Sequence, residues 1–200
     1  MSTYVGIDLG TTNSAICSFD GQEVALYKSP EQTDVTPSAI FIDKRGNRFV
    51  GMRAYGNAAK NPDNAATLFK RLIGTSTPIK LPGAGLTMTP EECSAEILRT
   101  LFGYLPEGLR NDPDIGSVIT VPAAFNQMQK DATTEAARSA GLGKVALLQE
   151  PVAAVNRSAL RSCDLRSFAD PRRVVGSRAD PARLSRRMER VWSRANRRTA

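Results

Sequence analysis

The chain opens on a period-two pattern. Val5, Ile7 and Leu9 alternate with smaller or polar residues, which predicts a strand over residues 5–9. Residues 15–19 and Val24–Tyr27 read as two more short strands, and Asp20-Gly21 between them is a strong hairpin turn signal. A loop over 34–38 precedes a strand at Ala39–Ile42, and Lys44-Arg-Gly-Asn47 turns into Arg48–Val50. Residues 55–61 and 65–73 have helical composition, broken at Asn61-Pro62, and 78–85 is a loop marked by proline and glycine.

The second half carries clearer helix signals. Thr89 can cap a helix, Pro90 suits its first position, and Glu91 and Glu92 complement the dipole. Ile97, Leu98, Leu101 and Leu105 supply its apolar face. Residues 117–121 form a buried-type strand. Asn126 followed by Gln129 resembles a capping box for the next helix. There Met128, Ala132, Ala136 and Ala140 fall at i, i+4 spacing, and Gly141 supplies the stop. Residues 144–148 are another strand. Strand, helix, strand in this order implies a parallel right-handed unit, so the class is α/β. Function in such sheets gathers at the carboxyl ends of strands. Asp8, Pro122 and Glu150 lie at or just beyond such ends.

The first of these ends holds the most informative chemistry. Gly10 relaxes the backbone after the strand, and Thr11, Thr12 and Asn13 add hydrogen-bonding groups. Backbone N–H groups at such a turn can form an anion-binding nest. A carboxylate beside that nest repels phosphate unless a cation lies between them. Asp8 therefore suggests Mg²⁺ held through oxygen ligands and water.

Composition narrows the alternatives. Histidine is absent, which removes Ser-His-Asp and Cys-His catalysis and His-ligated metals. Carboxylates, lysine, hydroxyls and backbone dipoles remain, and phosphoryl transfer to water can run on those, because positioning and charge stabilisation dominate it. Cys17, Cys93 and Cys163 are odd in number and far apart, so they fit a reducing compartment and neither a disulfide framework nor a zinc site. There is no apolar run of membrane-spanning length and no basic-then-apolar leader, so the expectation is a cytoplasmic protein with no membrane partner.

Four segments carry a family resemblance. Gly6-Ile-Asp-Leu-Gly-Thr-Thr-Asn-Ser14 resembles the amino-terminal signature of the heat-shock protein 70 (DnaK-type) chaperones. Leu68-Phe-Lys-Arg-Leu-Ile-Gly74 is similar to that family's lysine-bearing segment. Val118-Ile-Thr-Val-Pro-Ala-Ala-Phe-Asn126 is similar to its strand-to-helix turn, and Leu148-Gln-Glu-Pro-Val-Ala-Ala154 to its glutamate-proline turn. Chance matches would not keep this order and spacing. The resemblance implies the first lobe of an actin-like (ribonuclease-H-like) ATPase over residues 1–155. It implies ATP/ADP and Mg²⁺ as ligands, and Asp8 facing the metal through water. Gly10, Thr11, Thr12 and Asn13 would then meet phosphate, Lys70 would approach the terminal phosphate, and Glu150 would sit near the metal and attacking water. Pro122 resembles the family's interdomain switch. Unfolded client peptides, J-domain co-chaperones and nucleotide-exchange factors are the implied partners. Lys130 stands where the family carries arginine, which puts the interdomain signal in doubt.

The resemblance stops near Val155, before the second lobe and the peptide-binding domain, so the expected activity is lost or impaired. Residues 1–155 hold 14 Lys+Arg against 16 Asp+Glu, a net of −2, whereas 156–200 hold 13 Arg against 4 acids, a net of +9. The basicity belongs to the tail. One reading makes the tail a disordered product of a shifted frame or truncated gene. The alternative is a basic nucleic-acid-binding or interaction protein acting through an evolved arginine-rich arm, in which each arginine neutralises phosphate.

Overall fold

The computed structural model describes residues 3–150. The expectations for the tail, 156–200, lie outside the described residues. The chain begins with β1 (Tyr4–Asp8), β2 (Asn13–Phe19) and β3 (Val24–Tyr27), an antiparallel series. Gly21 takes φ 101° in the turn between β2 and β3, the left-handed region that glycine reaches without strain. Asp20 accepts hydrogen bonds there from the Gln22 and Glu23 backbone N–H groups. Far along the chain, β10 (Gly116–Val121) joins β1 in parallel, and β11 (Lys144–Gln149) joins β10 in parallel. The sheet order is therefore β11-β10-β1-β2-β3. The mixed α/β architecture read from the sequence is the observed one.

Three parallel strands, β1, β10 and β11, thus end at the same side of the sheet. Asp8 stands beside Thr120, and Thr120 beside Leu148, in adjacent register. One face of β1, β2 and β10 feeds the core. Val5, Ile7, Ile16, Ile119 and Val121 are buried, each worth roughly 1.5–3 kcal/mol relative to an exposed side chain.

Between the sheet's two parts lie smaller elements. β4 (Thr36–Pro37) pairs with the start of β2, in a stretch whose sequence reads as loop. β5 (Ala39–Ile42), β6 (Arg48–Val50) and β7 (Ala65–Thr67) form a second sheet, with α1 (Met52–Ala58) against β5. The helix expected over 65–73 is replaced by β7 and a 3-10 turn at Phe69–Leu72. Asn64 donates to the Ile42 carbonyl at 2.7 Å and seats the segment beside β5, where Ile40 pairs with Ala66. Leu68 then takes φ 57° and breaks any continuous helix. Tertiary pairing outweighs the helix propensity of alanine here. The expected loop over 78–85 is likewise a hairpin, β8 (Ile79–Leu81) and β9 (Leu86–Met88), whose Leu81 and Met88 enter the core.

Two long helices follow their sequence signals. In α2 (Pro90–Phe102), Thr89 and Glu92 form a reciprocal capping box, which satisfies two N-terminal N–H groups. Ile97, Leu98, Leu101 and Leu105 are all buried. A short α3 (Glu107–Arg110) leads into β10. In α4 (Gln127–Ser139), Asn126 and Gln129 form the second capping box. Gly141 ends it at φ 89°, with its N–H on Arg138 O and the Leu142 N–H on Ala137 O, the paired bonds of a left-handed C-cap. The expected i, i+4 stripe is only partly correct: Met128 is 68% exposed, and the buried face runs through Thr133, Ala136, Ala137 and Ala140. Steps of four drift by about 40° each in a 3.6-residue helix, so a strict i, i+4 series leaves the core face within three steps. No helix among the described residues is long and apolar enough to cross a membrane.

Candidate functional site

β1 ends at Asp8, and the chain reverses through Gly10–Asn13 into β2. A Cβ at position 10 would lie 2.0 Å from the Asn13 carbonyl oxygen, so only glycine passes through this turn. The Gly10 N–H donates to Ser14 Oγ at 3.1 Å. Gly10 shapes the turn, and its amide is used within the protein. Thr12 and Asn13 are exposed and Thr11 is half-buried, so the turn presents hydroxyl and amide side chains outward.

Asp8 is exposed, and Thr120 Oγ1 donates to its Oδ1 at 2.7 Å. This bond fixes one carboxylate oxygen from the neighbouring parallel strand. Thr120 lies inside the strand-to-helix motif, yet its role is legible only once β1 and β10 are known to be neighbours in register.

Lys70 comes from the 3-10 turn that follows left-handed Leu68. Its residue is 3% exposed. Its Nζ lies 3.4 Å from Glu150 Oε1, just past the end of β11, and 5.5 Å from the centroid of the Phe125 ring. A buried ammonium needs such partners, because an unpaired charge in a poorly solvated place is costly. An aromatic face supplies part of that compensation. The segment is pinned from behind. The Gly74 N–H donates to Glu91 Oε1 at 2.9 Å, and a Cβ on Gly74 would meet the Gln129 backbone at 2.9 Å. α2 and α4 therefore set where Lys70 can reach.

Pro122 directly follows β10. The Phe125 N–H donates to the Pro122 carbonyl at 3.1 Å, closing the turn that delivers Asn126 to the cap of α4. The structure thus gathers Asp8, the Gly10–Asn13 turn and the Lys70–Glu150 pair at strand ends of one sheet, with Pro122 at the third. Phe125, Thr120, Ser14 and Ser38 join them. The sequence motifs contain three of these four additions without distinguishing them from their neighbours.

An Mg²⁺ ion and a nucleotide would have to suit these groups. Among the described residues, no three His, Cys, Asp or Glu side chains converge as a ligand cage. Asp8 offers a single exposed carboxylate with one oxygen already oriented. That suits an ion that keeps several waters, as Mg²⁺ does. The tight glycine turn with its outward hydroxyls suits phosphate oxygens. The residues present fit both groups.

This arrangement is compatible with one lobe of an actin-like ATPase. The family model described as Hsp70 protein matches the chain over residues 4–80 and 76–160, and the chain belongs to the Hsp70 family. Nucleotide binding and a chaperone role are general attributes of that family.

Proposed function

We propose that residues 3–150 supply one wall of a Mg·ATP site whose hydrolysis serves an ATP-dependent chaperone. The observation that carries this reading is convergence. Positions 8, 70 and 150, distant in sequence, come to the same side of the main sheet: Asp8 ends β1, and Lys70 pairs with Glu150 just past the end of β11, two strands away.

Within that reading each group has a role. Asp8, oriented by Thr120, holds the hydrated metal through water. Thr11, Thr12 and Asn13 receive phosphate oxygens. Lys70 brings a positive charge held in a buried, water-poor place, where electrostatic stabilisation of a transferring phosphoryl group is strongest. Glu150 holds Lys70 in place and lies where an attacking water could be oriented. Bound Mg²⁺ would neutralise phosphate charge. Pro122 joins β10 to the cap of α4 and is positioned to report the state of the strand end to that helix. Unfolded client peptides, J-domain co-chaperones and nucleotide-exchange factors are the proposed partners.

The test is an NMR titration of the ¹⁵N-labelled chain with Mg·ATP. Amides of Thr11, Thr12 and Asn13 should shift with an affinity of about millimolar, near −4 kcal/mol, as expected for one wall of a two-sided site. The shifts should need Mg²⁺ and should vanish in Asp8→Asn. Shifts confined to other surfaces, or none up to about ten times that concentration, would overturn the reading.

A further inference from the structure

Two serines far apart in sequence hold Gly10 at both its amide and its carbonyl. The Gly10 N–H donates to Ser14 Oγ at 3.1 Å. Ser38 Oγ donates to the Gly10 carbonyl at 2.8 Å. The two hydroxyl oxygens are themselves 2.9 Å apart. The direction of that middle bond follows from the others. A carbonyl can only accept, so the single proton of Ser38 is committed to Gly10. Ser14 must therefore donate to Ser38. The result is a closed circuit: Gly10 N–H to Ser14, Ser14 to Ser38, and Ser38 back to the Gly10 carbonyl.

The circuit is buried, with Ser14 1% and Ser38 3% exposed. A further bond runs from the Ser38 N–H to the Thr12 carbonyl at 2.8 Å. Every bond therefore ends on the turn or on the other serine. The plain alternative is a pair of satisfied core serines that contribute only stability. Against it stands the placement. The circuit fixes Gly10 and Thr12 from the protein side and leaves the Thr12 and Asn13 side chains exposed on the other.

We propose that Ser14 and Ser38 are positioning residues. They hold the Gly10–Asn13 turn in the shape that receives nucleotide phosphate, so binding need not order the turn first. This rests on the Mg·ATP reading above. Because each hydroxyl both gives and takes a proton, the circuit works as a unit, and opening it at one serine releases the other.

The experiment uses the full-length ¹⁵N-labelled chain and its Ser14→Ala, Ser38→Ala and doubly substituted forms. Each is titrated with Mg·ATP while the Thr11, Thr12 and Asn13 amides are followed. Each single substitution should weaken binding by about tenfold, while the amides of Val5, Ile7 and Ile119 stay as protected from exchange as in the parent. The Gly10 amide should exchange faster in both. The double form should lose no more affinity than either single form, the signature of one shared network. Ser38→Thr, which keeps the hydroxyl, should retain most of the parental affinity. If an alanine form fails to fold, the cysteine form at the same position, a poor donor of similar size, is judged by the same criteria. Parental affinity in folded single variants, or losses that add in the double form, would overturn the proposal. A parent that never responds to Mg·ATP would overturn the nucleotide reading itself, and this inference with it.

Discussion

Lys70 places its ammonium 3.4 Å from the Glu150 carboxylate, across 80 residues of sequence. The pair is lopsided: the lysine side chain is 4% exposed and the glutamate side chain 45%. The buried partner therefore depends on the exposed one. Glu150→Gln should destabilise the fold by about 1 kcal/mol, below the usual cost of splitting a fully buried pair, because water still reaches position 150. Lys70→Met keeps most of the buried stem and should cost less stability than Lys70→Ala, which leaves a cavity. Urea unfolding of the three forms gives the comparison. Equal losses for methionine and alanine would show that packing of the stem contributes nothing.

Gly10→Ala should be among the most damaging small substitutions in the chain. Its Cβ would meet the Asn13 carbonyl oxygen at 2.0 Å, and backbone cannot yield as a flexible side chain can. A loss of about 1–3 kcal/mol is expected, together with altered shifts for Thr11–Asn13. Gly108→Ala is the control, since nothing lies within 4 Å of a Cβ there. It should stabilise or leave unchanged the short α3.

Thr120→Val removes the hydroxyl that orients Asp8 while keeping the branched shape that suits β10. Since Asp8 is exposed, stability should change by less than about 1 kcal/mol. Mn²⁺, used as a paramagnetic substitute in the presence of ATP, should broaden the Asp8 amide less in this variant than in the parent. Thr120→Ser should restore the parental pattern. Full broadening in the valine form would remove Thr120 from the metal's surroundings.

Three exposed carboxylates should each contribute modestly to the loss of stability in acid. Hydrogen bonds from the Glu23 and Gln22 backbone hold Asp20 below its usual 3.8. The Asn47 side chain does most to lower Asp43, and the Lys144 side chain lowers Asp114. A depressed folded value means stabilisation that is full above the unfolded pKa and is lost as pH falls through the folded one. The melting temperature should therefore hold down to about pH 4 and fall below it, and Asp43→Asn should flatten that fall. Lys144 works in the other sense. Asp114 raises it above 10.5, so its share is present at neutral pH and fades only in strong alkali.

Cys93 should be inert in the folded chain. Burial pushes its thiol up to about 12, and Glu92, Glu96 and Glu91 add to the effect. At pH 8 only about one thiol in ten thousand would be ionised. Iodoacetamide followed by peptide mass spectrometry should label Cys93 only when urea is present.

The sequence made β1–β3, both long helices and their caps legible because each rests on local chemistry. Thr89 with Glu92, and Asn126 with Gln129, need only three residues of context. Segment 65–73 was misleading for the opposite reason. Its alanines favour helix, but β5, which pairs with Ala65–Thr67, and the Ile42 carbonyl that anchors Asn64 lie 22 or more residues away and pull it into a sheet. The site divides the same way. Asp8 and the Gly10–Asn13 turn announce themselves locally, whereas Thr120 on Asp8 is a contact across 112 residues. No local pattern distinguishes Thr120 from any other strand threonine. The burial of Lys70 was similarly hidden, since Phe125 and Glu150 reach it only in three dimensions.

The order of strands in the main sheet has a consequence for synthesis. β1 lies in the middle of the sheet, yet its two neighbours arrive at very different times. β2 ends at Phe19, whereas β10 begins at Gly116. At about 5–20 residues per second, one side of β1 waits on the order of 5–20 s with its backbone donors and acceptors unpaired. During that interval the hairpin series is a growing sheet with an open central edge, able to accept any passing strand. This chain is thus, while it is being made, briefly the kind of aggregation-prone intermediate that chaperones exist to protect.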